Sequence, residues 1–584
     1  MAVACAADAP NASTLFFSLL NTVLGYDPVG MGIPYGGVVG TSVPRDLMEL
    51  SSQVLVVLLD YGRQGSPIST KLNTDAKTGY PLADLDGDAK DPGYNVFRTL
   101  LARMSGDYEL TFCFKGFARL LNNVHEANNT YLPGSVNGIG NFQEILILLW
   151  KFLEECPHFL KHLLSTSNKC DVNDLVVSIC YLMFEARSDT SRSGLVHICT
   201  FLLLKLSGER AFGVAANNPF RRHLPIQLPL FHGGHNDLIV VTLHKMVTDS
   251  HKGLVPLHTC HLTIIANISP YFKSLSIVGS VKLVQLFEFF SSNRMLFGRD
   301  RDLVRGYLGL LLETFNNVVQ YQWTNNQQLV YAVLRKRAVF KRVLDITLED
   351  AVVGWKKAGG GKSRGGKGAT TSTAAAATSA AAATATAAAS SASPQKETAV
   401  AAAEGGEKEG SKEEEENEEG AEGAAGEEEE DSDDRKPAAK PMAGLSAATH
   451  HSLPTTHATS TSSTPGGTPR SPWTPTAGWI ASMHRELPSE TLRRLFDHLV
   501  PDLDAFMKDH DGSVDEQEIL AHIAAMTVVG LLPVPHPLVI RRYMPNAFTD
   551  SWFTAFLWGV VFLRNQRVPI FDGESIKLFN VNVR

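Results

Sequence analysis

Apolar residues recur at helical spacing along most of the first 355 residues of this 584-residue chain. In the stretch that begins at Asn141, the apolar positions Phe142, Ile145, Leu146 and Leu149 follow the i, i+3, i+4, i+7 pattern of one helix face. Such patterns predict helices at residues 46–60, 141–164, 173–186, 194–206, 237–247, 281–290, 302–319 and 328–344. Breaks fall at clusters of Pro, Gly and Asn, which are typical of short connections.

These helices and breaks predict an all-α fold, in which an armadillo/HEAT-like helical solenoid is interrupted by a long disordered linker. A compact helical bundle is the alternative. We expect a disordered N-terminus at residues 1–13, the solenoid block at 14–355, the linker at 356–470 and a C-terminal helical segment at 471–584. The last segment has only three helical patterns, at 489–499, 516–529 and 553–562, so it is expected to dock on the solenoid.

The linker is the sharpest change of composition in the chain. It opens with Gly and Lys, continues as an Ala, Thr and Ser tract, becomes acidic through runs at 413–416 and 427–430, and ends in Ser, Thr and Pro. Its few apolar residues cannot offset the entropy of ordering. Much of the acid behind the formal net charge of −8 lies in this segment. The rest of the chain is near neutral, so no overall field favours nucleic acid as a partner.

A proline-rich tract at residues 529–541 is predicted to be a rigid extended connector. Its prolines are Pro533, Pro535 and Pro537. Each fixes φ and lacks a backbone donor, so the tract cannot be helical. Its apolar neighbours Leu531, Leu532, Val534 and Leu538 are expected to lie against the core. His536 is expected to be a packed or capping residue and not a ligand. Residues 224–230 contain two prolines and are expected to be an extended segment for the same reason.

The seven cysteines argue against a disulfide framework or a zinc site. They are widely spaced, odd in number and without a Cys-x-x-Cys pair, which favours a reducing, cytoplasmic setting. The first residues lack a basic start and an apolar signal core. The apolar runs at 175–184 and 195–206 are too short to span a bilayer, so no transmembrane helix is predicted.

One acidic stretch has the spacing of a calcium loop, with Gly512 at the sharp turn. The ligands would be Asp509, Asp511, Asp515 and Glu518. Met507, where the loop should open, cannot ligate calcium, and Pro501 is expected to interrupt the entering helix. We therefore favour a helix start, in which Ser513 caps the helix and Glu516 reaches back as in a capping box.

The helical pattern at 328–344 is strongly basic, which is typical of helices that bind acidic lipid or nucleic acid. Its basic residues are Arg335, Lys336, Arg337, Lys341 and Arg342. At about 100° per residue, Arg335 and Arg342 share one side and Arg337 and Lys341 point nearly the opposite way. A solvated or partner-facing helix end is the favoured interpretation.

Further chemical motifs are incomplete. His232 and His235 have no third metal ligand nearby in the sequence, so a polar loop is expected. The glycines from Gly30 to Gly36 lack the spacing of a phosphate loop and predict a rigid turn. Hydrolase, nucleotide-binding and zinc-protease signatures are missing. We expect no catalytic residue, no cofactor and no small-molecule substrate.

Five ordered motifs, together with the proline tract, resemble the high-temperature-induced dauer-formation protein family, distant relatives of dymeclin. The motifs lie at residues 21–35, 206–213, 267–276, 329–340 and 558–565. The residues that carry the resemblance are Asp27, Pro28, Gly30, Pro34, Gly208, Glu209, Arg210, Pro270, Tyr331, Lys336, Arg337, Pro533, Pro535, His536 and Pro537. From sequence alone, Gly208 suits a helix C-terminus, and Glu209 and Arg210 are expected to form ion pairs within the solenoid.

The resemblance implies a large cytosolic helical protein without enzymatic activity. Family members are peripheral on Golgi membranes and are linked to secretory cargo sorting and vesicle biogenesis. They typically begin Met-Gly and carry a myristoyl group, whereas this chain has Ala2, which cannot be myristoylated. The chain is therefore expected to be an N-terminally short member.

Three hypotheses follow. The first is a non-enzymatic, peripheral Golgi scaffold with protein partners of the secretory pathway, in which the linker is a spacing or regulatory element. The second is a soluble adaptor that recruits a cytosolic enzyme such as a deubiquitinase. The third is a calcium-responsive module at residues 509–518.

Overall fold

A computed structural model describes most of the two helical parts of the chain. The described residues are 3–28, 43–61, 73–74, 81–82, 94–127, 138–165, 170–359, 473–510, 514–527, 533 and 537–565.

Helices make up almost all regular structure in these ranges, and the predicted all-α class is confirmed. The α-helices are α1 Ala12–Leu24, α2 Arg45–Asp60, α3 Val96–Arg103, α4 Asp107–Glu126, α5 Phe142–Glu155, α6 Pro157–Leu163, α7 Asn173–Ala186, α8 Ser193–Ser207, α9 Arg210–Ala215, α10 His235–Thr248, α11 His258–Ile268, α12 Ile277–Phe290, α13 Asn293–Leu296, α14 Arg301–Tyr321, α15 Gln327–Arg335, α16 Arg337–Leu344, α17 Leu348–Lys357, α18 Ala477–Glu486, α19 Glu490–Asp509, α20 Glu516–Ala525 and α21 Ala547–Arg564. Short 3₁₀ turns lie at Thr190–Arg192, Lys252–Leu257, Ser269–Tyr271 and Trp323–Asn325. Two antiparallel strands of two residues each, β1 Asn73–Thr74 and β2 Pro81–Leu82, complete the regular structure.

The long helix predicted at residues 141–164 is two helices. Cys156 separates α5 from α6 with extended dihedral angles, φ −110° and ψ 92°. The cause is Pro157, because a proline ring disfavours the helical conformation of the residue before it. The proline then begins α6, where its missing N–H costs nothing.

The basic helix predicted at 328–344 is likewise two helices, α15 and α16. Lys336 lies between them with φ −101° and ψ 16°. Its N–H is shared between the carbonyls of Ala332 and Val333, a tightened turn that ends α15. The basic residues therefore belong to two helices with different axes. The angular positions that were predicted for them on one straight helix are wrong.

Pro501 does not interrupt its helix, contrary to the prediction. It lies inside the 20-residue helix α19. Leu495, Phe496, Leu499 and Leu503 on both sides of the proline are buried. Packing of this apolar face offsets the local loss of a helical hydrogen bond.

Part of the N-terminal stretch that was expected to be disordered, residues 1–13, is packed against the rest of the protein. Cys5 is buried, and its carbonyl accepts a hydrogen bond of 3.0 Å from the N–H of Val96. α17 runs to Lys357, two residues into the predicted linker. The rest of the predicted linker, residues 360–470, lies outside the described residues.

The larger helices of residues 3–359 pack as two rows. In the first row α1, α4, α7, α10, α12 and α15 follow one another, each in contact with the next. In the second row α2, α5, α8, α11 and α14 do the same. Cross contacts join α1 to α2, α4 to α5, α7 to α8, α10 to α11 and α12 to α14. The assignment of these pairs to an armadillo or HEAT repeat stays a prediction.

One carboxylate joins two helices of the first row. Asp237 Oδ2 accepts the N–H of Gly234 at 3.0 Å, which caps α10. Asp237 Oδ1 accepts the N–H and the hydroxyl of Ser276, at 2.9 and 2.6 Å, and Ser276 itself caps α12. Both helix N-termini are thus fixed to one buried group.

Helices C-terminal to residue 472 contact both rows. α19 contacts α14, α20 contacts α15, and α21 contacts α2 and α5. Among the described helices, none is both long and apolar enough to cross a membrane.

Candidate functional site

The C-terminal residues 537–565, called the strap below, lie across the second row of helices. The extended part of the strap, residues 537–546, contacts residues at α14, α11 and α8. Its helix α21 contacts α5 and α2. The strap therefore meets every helix of the second row, in the reverse of their chain order. The end of the proline tract and the motifs at 206–213 and 267–276 come together here.

Asn267, near the end of α11, holds the backbone of the strap. Its Nδ2 donates to the carbonyl of Arg541 at 2.9 Å, and its Oδ1 accepts the N–H of Arg541 at 2.8 Å. The Asn267 side chain is fully buried, and Nδ2 also donates to Ser207 Oγ at 3.1 Å. One amide thus satisfies the donor and the acceptor of a residue in an extended segment that has no helix of its own.

Arg541 also binds through its side chain. Its two terminal nitrogens donate to the two carboxylate oxygens of Glu313 on α14, at 2.7 and 2.8 Å. The pair is largely shielded from solvent, with side-chain exposures of 31% for Arg541 and 21% for Glu313. A bidentate, partly buried pair of this kind is stronger and more selective for arginine than an exposed ion pair.

The next strap residue, Arg542, contacts the C-terminus of α8. Its Nε donates to the carbonyl of Gly208 at 3.4 Å, and its guanidinium lies 3.6 Å from the Glu209 carboxylate. A Cβ at position 208 would lie 3.2 Å from Arg542 Cγ, so glycine allows the strap to pass close to this helix end. Gly208 is the C-cap of α8, as predicted from the sequence. The ion pair of Glu209 is with the strap, and Arg210 is exposed.

An aromatic cluster holds the middle of the strap. Tyr543 is buried edge-on against Trp150 of α5, with ring centroids 5.1 Å apart, and lies 5.9 Å from the ring of Phe201 on α8. Phe553 of α21 stacks on Trp150 at 4.4 Å. Trp552 stacks on His197 of α8 at 5.4 Å. These rings bury the apolar face of α21, which largely accounts for its docking.

Polar contacts hold the C-terminal end of the strap. Arg564 donates to Glu144 of α5 at 3.0 Å and to the carbonyl of Gly140. Asn565 donates to Gln53 of α2 at 2.6 Å. Burial raises the pKa of the Glu144 carboxyl, and the Arg564 guanidinium opposes that rise. This end of α21 is thus held by an ion pair inside the protein.

Of the apolar residues of the proline tract that were expected to lie against the core, the structure describes Leu538, while Leu531, Leu532 and Val534 lie outside the described residues. Leu538 and Val539 are 40% and 54% exposed, and Pro537 is exposed. The prediction that Leu538 packs on the core is wrong, because Asn267 and Glu313 hold the strap from Arg541 onward. Pro533 is half-buried. Pro535 and His536 lie outside the described residues.

The basic residues at the junction of α15 and α16 bind groups of the protein itself. Lys336 pairs with Glu288 at 3.0 Å, and Arg337 pairs with Asp504 of α19 at 3.4 Å. Arg342 donates to the carbonyl of Ser291 at 3.0 Å. Arg335 lies over the ring of Tyr331 at 5.6 Å. Four of these five basic residues are thus in contact with groups of the protein itself, while Lys341 is exposed.

Other motif residues stabilise local turns. The carbonyl of Pro270 accepts Gln322 Nε2 at 2.8 Å, which ties the Ser269–Tyr271 turn to the end of α14. Pro28 is buried and Asp27 is exposed. Arg119 donates to the carbonyl of Tyr26 at 2.9 Å, just before that pair. Gly30 and Pro34 lie outside the described residues, and so does the turn predicted between Gly30 and Gly36.

The acidic stretch after α19 gives a helix start, but two residues later than predicted. α20 begins at Glu516, and its N-cap is Asp515, whose side chain makes no capping hydrogen bond. The capping box of Ser513 with Glu516 is therefore wrong, because Glu516 is the first residue of the helix. Of the weighed calcium ligands, Asp509 and Glu518 are exposed on different helices. Asp511, Gly512 and Ser513 lie outside the described residues.

His232 and His235 have different surroundings. His232 is exposed, whereas His235 is buried and its Nδ1 lies 2.7 Å from the carbonyl of Asn218. Burial lowers the pKa of His235. Among the described residues, no three His, Cys, Asp or Glu side chains form a group that could hold a metal ion.

Sequence reasoning found the segments of this site but missed its key residues. Asn267 is the first residue of the motif at 267–276, and Arg541 is the last residue of the proline tract. The sequence predicted no contact for either residue. Glu313, Trp150 and Tyr543 gave no signal, because an acid or an aromatic residue on a helix has the same local pattern whether it faces solvent or a distant segment. An asparagine near the C-terminal end of an apolar helix was the one available indication.

Comparison with known proteins identifies relatives over nearly the whole chain. The family model described as "Dymeclin: Dyggve-Melchior-Clausen syndrome protein" matches residues 1–560. Mouse Protein HID1 is 38% identical over 578 residues, which cover 99% of this chain and 70% of the mouse protein. Human Protein HID1 is 37% identical over 583 residues, with the same coverage of 99% and 70%.

A more distant relative comes from fission yeast. The Ubp5-interacting protein ftp105 of Schizosaccharomyces pombe is 25% identical over 350 residues, which cover 58% of this chain and 35% of the yeast protein. No solved structure matches the chain.

Proposed function

The chain belongs to the dymeclin family, and we propose that it is a non-enzymatic adaptor that acts through protein–protein contacts. One observation carries the proposal: the second row of helices holds an extended polypeptide segment, the strap, through backbone hydrogen bonds, acidic side chains and aromatic rings. A surface with these three kinds of contact is suited to recognise polypeptide. Long rows of paired helices are commonly used in this way.

We further propose that the adaptor works as a peripheral scaffold on Golgi membranes, in secretory trafficking and cargo sorting. Support comes from the resemblance of its ordered motifs to a family whose members have that role. The extent of similarity to the mammalian HID1 proteins, 99% of this chain, supports carrying the role over. Protein partners of the secretory pathway are then expected to bind the helix rows.

A second candidate is an adaptor that recruits a cytosolic enzyme without a membrane. It is favoured by the name of the fission yeast relative, Ubp5-interacting protein ftp105, which describes an interaction with the protein Ubp5. That name concerns the yeast protein. Both candidates share the adaptor activity and differ in the partner and the place.

The two candidates are tested by imaging the chain, tagged at its C-terminus, beside a Golgi marker, and by proximity labelling in the same cells. Golgi signal with coat and cargo proteins among the labelled neighbours is the expected result. Diffuse signal with a soluble enzyme as the main neighbour would favour the second candidate. Diffuse signal with the same neighbours as an unfused tag would contradict both.

A further inference from the structure

The extended part of the strap, residues 537–546, occupies the second row as a bound peptide would. Residues 537–546 contain no helix or strand, and the last of them, Asn546, caps the N-terminus of α21. The Asn267 amide binds Arg541 through backbone groups, and every residue except proline presents that donor and acceptor. The anchoring contact at the centre of this surface is therefore independent of the side-chain sequence.

Selectivity comes from the two arginines. Glu313 receives Arg541 with two parallel hydrogen bonds, and Glu209 with the Gly208 carbonyl receives Arg542. The planar guanidinium fits a carboxylate in this bidentate way, and an ammonium does not. Two acidic side chains, Glu313 on α14 and Glu209 at the turn between α8 and α9, thus bind two consecutive arginines.

A third position accepts an aromatic ring. Tyr543 is buried against Trp150 and Phe201. Since Trp150 and Phe201 belong to α5 and α8, the ring site is supplied by the helix rows. Phe553 of α21 packs on the same two rings, at 4.4 Å from Trp150 and 5.4 Å from Phe201. The surface therefore has sites for arginine, arginine and an aromatic ring, in that order.

The extended part can leave the surface while α21 stays. Helix α21 has its own anchors in the buried Phe553 and Leu557 and in the Arg564 pair with Glu144. Among the apolar residues of the extended part, Leu538, Val539 and Met544 are already exposed, so its release mainly uncovers Tyr543 and the sides of Trp150 and Phe201 that Tyr543 contacts. The flanking prolines limit its conformations, which lowers the entropy lost when it binds again.

From these contacts we infer that Asn267, Glu313, Gly208, Glu209, Trp150 and Phe201 form a peptide-binding groove for an extended Arg-Arg-aromatic segment of a partner protein. The strap occupies this groove in cis and competes with the partner. The inference rests on the proposed adaptor function and names the class of partner. A covalently attached competitor has a high effective concentration, so it would set a threshold for binding in trans.

The test uses the full chain and a fluorescein-labelled peptide with the sequence of residues 537–544, followed by fluorescence anisotropy. The wild-type chain is expected to bind weakly, because its groove is occupied. The double variant Arg541→Ala/Arg542→Ala loosens the strap and is expected to bind the peptide at least tenfold more tightly. A peptide with both arginines replaced by alanine is the matched ligand control and should lose this gain.

A third substitution locates the binding. Adding Glu313→Gln to the double variant is expected to weaken peptide binding at least tenfold. Adding Glu288→Gln, which removes the α12 carboxylate that pairs with Lys336, should leave it unchanged. If the double variant is misfolded by circular dichroism, Arg542→Ala alone replaces it, since the Arg542 side chain is 52% exposed. A folded, loosened variant that does not bind, or binds equally well with Glu313→Gln, would overturn the inference. Such a result would leave the adaptor proposal standing, because imaging and proximity labelling do not depend on this groove.

Discussion

Asn267 binds both backbone polar groups of Arg541, a residue 274 positions later in the chain. The contact joins the end of α11 to the strap, and Glu313 on α14 binds the side chain of the same arginine. Together these bonds fix the point where the strap enters the second row.

Replacing Asn267 with alanine is expected to destabilise the protein by about 1–3 kcal/mol, because the N–H and the carbonyl of Arg541 lose their partner in a partly buried place. The measurement is the free energy of unfolding from urea denaturation. Asn218→Ala is the control: Asn218 is exposed, and its loss should change stability by less than about 0.5 kcal/mol. Equal effects of the two substitutions would contradict the assigned role of Asn267.

Two helix glycines are expected to respond in opposite ways to alanine. A Cβ at Gly279 would lie 2.3 Å from Asp237 Oδ1, the carboxylate that fixes α10 and α12, so Gly279→Ala should destabilise by about 1–3 kcal/mol. A Cβ at Gly306 of α14 meets nothing within 4 Å, so Gly306→Ala should be neutral or stabilise by up to about 1 kcal/mol. Thermal melting of both variants checks the prediction, and a stabilising Gly279→Ala would refute it.

Buried histidines are expected to make stability fall on acidification. Burial lowers the pKa to about 4 in His125, His244 and His258, and to about 3 in His261, from the ordinary 6.5. Between pH 6.5 and about 4 the unfolded chain binds these protons and the folded chain does not. The free energy of unfolding therefore decreases as pH falls, by up to about 1.4 kcal/mol per pH unit for each histidine.

A single substitution isolates one of these histidines from other titrating groups. The ring of His258 packs edge-on near Phe290 and Tyr307, so phenylalanine can take its place. As the pH is lowered from 6 to 4.5, the free energy of unfolding of His258→Phe minus that of wild type should rise by about 1.4 kcal/mol per pH unit, because only the wild type loses stability through this histidine. The measurement is urea denaturation at several pH values, and a difference that does not change with pH would rule out the assigned titration.

Removing one partner of the buried ion pair between Lys151 and Asp60 is expected to destabilise the protein more than replacing both partners with apolar residues. The Nζ and Oδ1 atoms are 2.7 Å apart, and both side chains are nearly inaccessible. Asp60→Asn should destabilise by about 3–5 kcal/mol, since it leaves a buried ammonium without its counter-charge. The double variant Asp60→Leu/Lys151→Met should regain much of that loss. Glu49→Gln, which breaks the exposed pair with Arg45, is the control and should cost less than about 1 kcal/mol.

The local pattern predicted the helices well where one apolar face lies in the core. Helix α7 begins and ends at the predicted residues, 173 and 186, and α8 differs by one residue at each end. The two prolines had different outcomes. At Pro157 one helix ends and the next begins, although Phe152 and Phe159 on either side are buried, whereas α19 continues through Pro501 with buried leucines in both halves.

Sequence by itself determined the helical class, most helix positions, the family and the segments that carry its motifs. These depend on spacing within about twenty residues, which local periodicity records. Only the tertiary structure decided that the proline tract ends on Asn267 and Glu313, that Trp150 receives Tyr543, and that Leu538 faces solvent. Such contacts depend on which helix faces meet after packing, and a residue has the same neighbours in the sequence whether or not a distant segment lies against it.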